Sequence, residues 1–315
     1  MAIEVISIGS SSSGNSYLIM AGKHNIILDV GLAAKRIIAA LEKFNITPEE
    51  VDAVLVTHEH VDHVRSVRAI GRKCKNAVFI TSRGTAENTE NFKYIPDERL
   101  MIAASGDRIY MTEEAPYKAP QEDKENYTAN QICFERVQNA NRTLPGVVKY
   151  SEKYNNITIS AFAISHDAAE PLSYTIEYAG EKLAIVTDTG IVTDSIYEAI
   201  RDADILVFES NHDEDLLMFG EYPYPLKMRI KGDYGHLSNH YAGEILMKLL
   251  SDRAECRPAG NSSPLHIMLA HLSFHNNAPF YARTTVEEIL QKNGFEKGRD
   301  YTLTIAARDE LTLFD

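Results

Sequence analysis

The sequence predicts an α/β fold, and three observations support this. Short apolar runs alternate with segments of helical character along most of the 315 residues. Several of those runs end in Asp, Glu or His, as strands do when they carry a site on their C-terminal edge. The 44% of apolar residues suffices for a substantial core, and none of them cluster into the ~20-residue run that spans a bilayer.

In chain order, EVISIG (Glu4 to Gly9), SYLIM (Ser16 to Met20) and NIILDV (Asn25 to Val30) read as closely spaced strands parted by Ser, Gly and Asn turns, which predicts a meander. Thr47-Pro48-Glu49-Glu50 reads as an N-cap with proline at the first helical position, and the run VDAVLVT after it as a buried strand ending at Thr57. Downstream, EKLAIVTDTG, DADILVFES and PLHIMLAHLS each place polar residues at the C-terminal end of an apolar strand. The stretch Asp107 to Asn155 is rich in Pro, Asn, Glu and Lys and holds too little apolar residue to fold alone, so it reads as a solvated insertion or flap. No linker divides the chain cleanly, and residues 1–315 are expected to form one domain with a polar insertion at about 107–155.

Composition narrows the function. Cys74, Cys133 and Cys256 are odd in number, far apart and in no C-x-x-C pair, so they read as free thiols and not as a disulfide framework or thiolate metal site. A formal charge of -13 argues against a surface that coats polyanions indiscriminately, while leaving room for a local basic groove. MAIEVISIGSSSSGNS lacks a basic region followed by an apolar stretch, so a soluble, cytoplasmic protein is expected.

The stretch VTHEHVDHV concentrates chemistry. Side chains two apart in an extended loop point the same way, so His58 and His60 can grip one ion, while Asp62 and His63 follow where the loop turns and can point elsewhere. An open tetrahedral site needs about three protein ligands, so these four donors, with His166, Asp188 and His271 at later strand ends, suggest two ions. A carboxylate such as Asp188 can bridge two cations through its two oxygens.

THEHVDH, with Asp29 before it and His166, Asp188 and His271 after it, resembles the pattern of metallo-β-lactamase-fold hydrolases across nearly the whole chain. The resemblance implies a four-layer αββα sandwich, two mixed sheets with helices outside, and two divalent ions, zinc or manganese, in the cleft between the sheets. It assigns His58, His60 and His166 to one metal and Asp62, His63 and His271 to the second, with Asp188 bridging. Asp29 and His212 would stand behind the ligands, Asp29 orienting the histidines. VFESNHDEDLL followed by YGHLSNHYAGEIL is similar to paired segments of tRNase Z-type enzymes, which implies that Glu209 and His236 act together as the acid that protonates the leaving oxygen. Asp62 is counted with them among the reacting groups as well as among the ligands.

IGSSSSGNSYLI, SHDAAEPLSY, TDTGIVTD, FESNHD and AHLSFHNN together resemble the YycJ/WalJ group of this superfamily, over Ile3 to Leu100 and Ile157 to Phe314. That resemblance implies a 5′-to-3′ exonuclease on double-stranded DNA, with a hydroxide bridging the two ions as nucleophile. Too few positions separate Asp188 from His271 for the extra domain that β-CASP nucleases carry there.

GEYPYPLKMRIKGDYGH interleaves Tyr222, Tyr224 and Tyr234 with Lys227, Arg229 and Lys231, which could stack bases and hold phosphates or could equally form an amphipathic surface helix. Ser12 and Asn15, in the turn Gly9 to Ser16, are candidates for an anion near the metals. His24, His240, His266 and His275 are assigned ordinary structural roles. The rival readings are a small-molecule thioester or lactone hydrolase on the same metals, and a metal-binding regulatory protein without catalysis.

Overall fold

The computed structural model describes residues 1–112, 133–137, 157–256 and 263–314. Its strands are β1 (Ile3–Gly9), β2 (Ser16–Ala21), β3 (His24–Leu28), β4 (Val51–Leu55), β5 (Val78–Ser82), β6 (Leu100–Ala103), β7 (Arg108–Thr112) and β8 (Cys133–Val137). They continue with β9 (Ile157–Ala163), β10 (Leu172–Tyr178), β11 (Glu181–Val186), β12 (Ile205–Glu209), β13 (Leu265–Ala270), β14 (Tyr301–Ile305) and β15 (Thr312–Leu313).

One sheet has the order β15-β1-β2-β3-β4-β5-β6 and the other β14-β13-β12-β11-β10-β9-β7-β8. Both are mixed. The meander expected from the first three apolar runs is there, β1, β2 and β3 pairing antiparallel, and the first sheet then continues in parallel through β4, β5 and β6. In the second sheet β11, β12, β13 and β14 run parallel, so the polar residues that end them share one edge.

Alternation along each strand explains the layers. Ile3, Val5, Tyr17, Ile19, Ile26 and Leu28 face the other sheet, where they meet Ile159, Tyr174, Ile185, Val207 and Met268 in one central apolar layer. The residues between them, among them Ile6, Ile8, Leu18 and Ile27, face outward onto the helices Ala34–Lys43 and Val67–Lys73. The outer face of the second sheet is covered in the same way by the helices Asp194–Ile200, Asn239–Cys256 and Pro279–Lys292. Strands buried on both faces read as continuous apolar runs, which is why they stand out in the sequence. Two sheets between two helical layers make the four-layer αββα sandwich.

The stretch from Asp107 is not all loop. Arg108–Thr112 is a strand that pairs with β9 and with Cys133–Val137 at the edge of the second sheet. Its segments 113–132 and 138–156, expected to be a solvated flap, lie outside the described residues. Among the described residues, no helix is long and apolar enough to cross a membrane.

Candidate metal centre

Seven donors predicted from the sequence meet where the two sheets end. β3 hands over to Asp29, β4 to Thr57 and His58, β11 to Asp188, and β13 to His271. His60 is the N-cap residue of the short helix Val61–Val64, whose first turn carries Asp62 and His63, and the His63 ring packs 4.0 Å from that of His58. Asp29, Asp188 and His271 all sit at positive φ, at 57°, 59° and 57°, three of only five such non-glycine residues among those described. Asp and His tolerate this conformation better than most side chains do, and strain of this kind collects at functional sites. Gly31 completes the arrangement: a Cβ there would stand 1.5 Å from the Asp62 carbonyl oxygen, so only glycine lets the turn after β3 touch the histidine loop.

His58, His60 and His166 form one group of donor atoms within 4.8 Å of one another, and Asp62, His63, Asp188 and His271 form a second. Ligand atoms ~2.1 Å from a tetrahedral ion lie ~3.4 Å from each other. The separations match: 3.3 Å from His166 Nε2 to His60 Nδ1, 3.3 Å from His63 Nε2 to Asp188 Oδ2, 3.5 Å from His63 Nε2 to Asp62 Oδ2, and 3.4 Å from His271 Nε2 to Asp188 Oδ1. Asp188 Oδ1 is also 3.9 Å from His166 Nε2, so this carboxylate lies between the groups. His58 Nε2, His271 Nε2 and Asp188 Oδ2 are buried and make no hydrogen bond. Buried orphans of that kind are costly unless something else satisfies them, so the donor set fits divalent cations.

Behind the donors, Asp29 Oδ2 accepts from His63 Nδ1 at 2.8 Å, and its other oxygen accepts the Thr57 N–H at 2.9 Å. The Thr57 hydroxyl, 3.0 Å from His58 Nδ1, ties the two histidines into one network. Glu209, fully buried at the end of β12, does the same on the other side. Its Oε1 accepts from His236 Nδ1 at 2.8 Å and from His271 Nδ1 at 2.7 Å, while Oε2 takes the Thr189 N–H at 2.9 Å. The loop carrying His236 is clamped in place, for Gly190 packs so tightly under it that a Cβ would lie 2.2 Å from the Gly232 carbonyl oxygen.

A profile described as a beta-lactamase superfamily domain matches residues 24–254. The chain belongs to the beta-lactamase superfamily. It is 28% identical over 303 residues to the exodeoxyribonuclease YycJ of Bacillus anthracis, covering 96% of this chain and 95% of that protein. It is also 28% identical over 305 residues to the exodeoxyribonuclease WalJ of Streptococcus pneumoniae, with 97% and 94% covered. Among solved structures, the metallo-beta-lactamase fold protein YhfI of Bacillus subtilis superposes with a TM-score of 0.59 at 15% identity, over 99% of both chains. The metallo-hydrolase fold implied by the sequence is therefore the fold of this chain.

Within that superfamily frame the donors are tuned in opposite directions. Burial, then the neighbouring His63 and His166, hold the His58 pKa well below its usual value, so His58 is neutral. Burial also opposes charge on His63 and His271, but there it is outweighed: Asp29, Asp188 and Asp62 hold His63 well above its usual value, and Asp188, Asp62 and Glu209 lift His271 to about 10. Burial opposes ionisation of Asp62 as well, yet His63 and His271 hold its carboxyl below the usual range.

Several sequence expectations change here. Glu209, expected to act with His236 by holding its imidazole in the useful tautomer, is fully buried and serves two histidines, His271 as well as His236. The resemblance places His212 behind the ligands. It is buried, burial lowers its pKa to about 4, and neither ring nitrogen makes a hydrogen bond, so it braces no ligand. Its neighbour Asn211 does that work, donating to the His271 carbonyl oxygen at 2.9 Å. Lys227 is no phosphate ligand: its stem is buried in the helix Tyr224–Lys231 and its Nζ donates to the Met218 and Gly220 carbonyls at 2.9 and 2.7 Å. Asn15 is buried too, holding the Ser10-Ser11 turn together and lying 3.2 Å from His63 Nε2.

Ser12 and Lys231 are exposed, and Arg229 is paired through Nε and Nη2 to Asp167 Oδ2 at 2.6 and 2.5 Å. Asp167, whose other oxygen is 3.5 Å from His166 Nε2, was missed in the sequence although it follows His166 directly. The sequence marks Thr57 only as a strand end.

Proposed function

We propose that this chain is a metal-dependent phosphodiester hydrolase, a 5′-to-3′ exonuclease on double-stranded DNA, working in the cytoplasm with two divalent cations, zinc or manganese. The observation that carries the reading is the Glu209–His236 pair, 2.8 Å apart, whose imidazole lies 5.2 Å from the His166 ring and 5.1 Å from the His271 ring and so borders both donor groups. A sugar alkoxide is a poor leaving group and needs a proton, whereas the thiolate of a thioester does not. The exodeoxyribonuclease relatives, which match over nearly the full length, support the same substrate class.

On this reading His58, His60 and His166 hold one cation, Asp62, His63 and His271 the other, and Asp188 serves both. The cations supply Lewis acidity toward phosphate oxygens and lower the pKa of water from ~15.7 to ~7. The protein's own groups do the rest. Glu209 keeps a proton on His236 Nδ1 and faces the charge of the protonated ring, which leaves Nε2–H to be given to the departing oxygen. Thr189 N–H and Leu237 N–H fix the Glu209 carboxylate, so the ring it orients is held still. Asp29 does for His63 what Glu209 does for His271, keeping the proton on Nδ1 and the Nε2 lone pair inward. Residues 1–315 are proposed as one domain, because the central apolar layer draws on both sheets; a single cooperative unfolding transition is expected.

The test is metal analysis of the purified protein and digestion of 5′- and 3′-labelled single- and double-stranded DNA and RNA beside a panel of thioesters and lactones. Stepwise loss from the 5′ end of duplex DNA is expected, abolished by Asp188→Ala with the fold intact. Ester hydrolysis without any nuclease activity, or an active and metal-replete Asp188→Ala protein, would overturn the reading.

A further inference from the structure

His271 follows β13, and three residues further on the chain turns at Phe274, which is 68% exposed. Phe274 begins a connected row of rings. It stands edge-to-face against His275 with centroids 5.0 Å apart, and His275 lies 5.6 Å from the ring of Tyr222. From the loop after β14, the Arg308 guanidinium stacks 4.4 Å over Phe274. Phe219, 86% exposed, ends the helix Glu214–Phe219 beside the same turn, where a Cβ on Gly220 would lie 3.0 Å from Asn276 Oδ1.

The turn bearing these rings is tied to the strand end that carries Glu209. Ser273 N–H donates to the Asn211 carbonyl at 2.7 Å, Asp213 N–H to the Asn276 carbonyl at 2.9 Å, and Asn277 Nδ2 to the Ser210 and Asn211 carbonyls at 2.8 and 3.0 Å. The row therefore keeps a fixed position relative to the metal donors. Its composition points to its occupant. A face that docks an aliphatic protein surface would be built from Leu, Ile and Met, whereas three aromatic rings with a cation stacked on one of them match the π-face of a nucleobase and the phosphate attached to it. With a formal charge of -13 the chain as a whole does not attract a polyanion, so a short-range contact must supply binding that long-range electrostatics cannot.

We propose that Phe274, His275 and Tyr222, with Arg308, form a stacking ledge for the unpaired terminal nucleobases of the strand whose phosphodiester is cleaved at the metal donors; this rests on the nuclease reading. Stacking is blind to base identity, so such a ledge suits an enzyme that degrades any sequence. It also favours frayed or single-stranded termini over blunt ones, because a blunt end must first be unpaired.

A cycle of two changes tests the ledge. Phe274→Leu keeps apolar bulk and removes the π-face; a terminal abasic site in the DNA removes the base. Either change alone should raise KM about tenfold, both together should cost no more than one, and Phe274→Trp should restore the wild-type value. Additive losses, or a wild-type KM in the Phe274→Leu protein, would overturn the ledge. Wild-type protein that cleaves no nucleic acid would sink the nuclease reading instead. In that case, quenching of 2-aminopurine at a DNA terminus by wild-type but not by Phe274→Leu protein still supports the ledge, and equal quenching by both overturns it. Loss of wild-type self-association in Phe274→Leu, with DNA binding unchanged, would assign the rings to a contact between copies and overturn it too.

Discussion

Asp29→Asn isolates the tautomer on which the second group of donors depends. Asparagine keeps the shape of Asp29 and, like aspartate, accepts the φ of 57° at this position. Its carbonyl oxygen can still receive the Thr57 N–H now held at 2.9 Å. Its amide then faces His63 Nδ1, where a carboxylate oxygen now accepts at 2.8 Å. Two donors cannot share that position, so the His63 proton moves to Nε2, the atom 3.3 Å from Asp188 Oδ2 that should offer its lone pair to a cation. Restoring the binding tautomer leaves two buried N–H donors facing each other with their hydrogen bond unmade, which costs about 1.5–3 kcal/mol. At ~1.4 kcal/mol per tenfold, the affinity of this group for zinc or manganese should fall roughly 10- to 150-fold. Competition with a chromophoric chelator measures this directly, without reference to turnover. Asp29→Ala is the harsher companion: it also loses a residue suited to the left-handed region, at ~1–2 kcal/mol, and should melt earlier in EDTA. An Asn variant that binds both cations with wild-type affinity would refute the tautomer argument.

His236→Ala should lower kcat on DNA by about 10²- to 10⁴-fold while metal content stays unchanged; a loss of bound metal would instead make His236 a ligand. Lys227→Met should destabilise the chain by about 1–3 kcal/mol through two unpaired carbonyls, leaving the kinetics on DNA within a factor of about two; a rise in KM with unchanged melting would return Lys227 to the substrate. In the metal-free protein the folded-state pKa of His271 is about 10, above its unfolded value of ~6.5. Its contribution to stability is therefore complete below pH ~6.5 and lost as pH rises toward 10, so melting in EDTA should move to lower temperature across that window. Cation-loaded protein should show the reverse trend, since bound His271 must be deprotonated; a metal-free Tm that rises over the same window would contradict the assignment.

The strands were legible because both faces of each sheet are buried, which makes Ile26, Ile27 and Leu28 a continuous apolar run. The donors were legible because His58, His60, Asp62 and His63 are adjacent in sequence and His166, Asp188 and His271 each close an apolar stretch. What lay behind them was not. The shared use of Glu209 by His236 and His271 depends on the parallel register of β12 and β13, and no local pattern carries that register. Lys227 misled because a cation among tyrosines looks exposed until the helix that precedes it is folded, and only then do the Met218 and Gly220 carbonyls claim it. Phe274 and His275 gave no periodic signal at all, being two rings at the tip of a turn.

Each donor group takes members from both halves of the sandwich: His58 and His60 follow a strand of the first sheet and His166 one of the second, while Asp62 and His63 face Asp188 and His271 across the same seam. A cation bound there is a cross-link between chain segments far apart in sequence, comparable in topology to a disulfide. Cation affinity is thus partly a property of how firmly the two sheets are docked. Substitutions deep in the central layer, remote from every donor, should weaken metal retention in proportion to how far they loosen that seam.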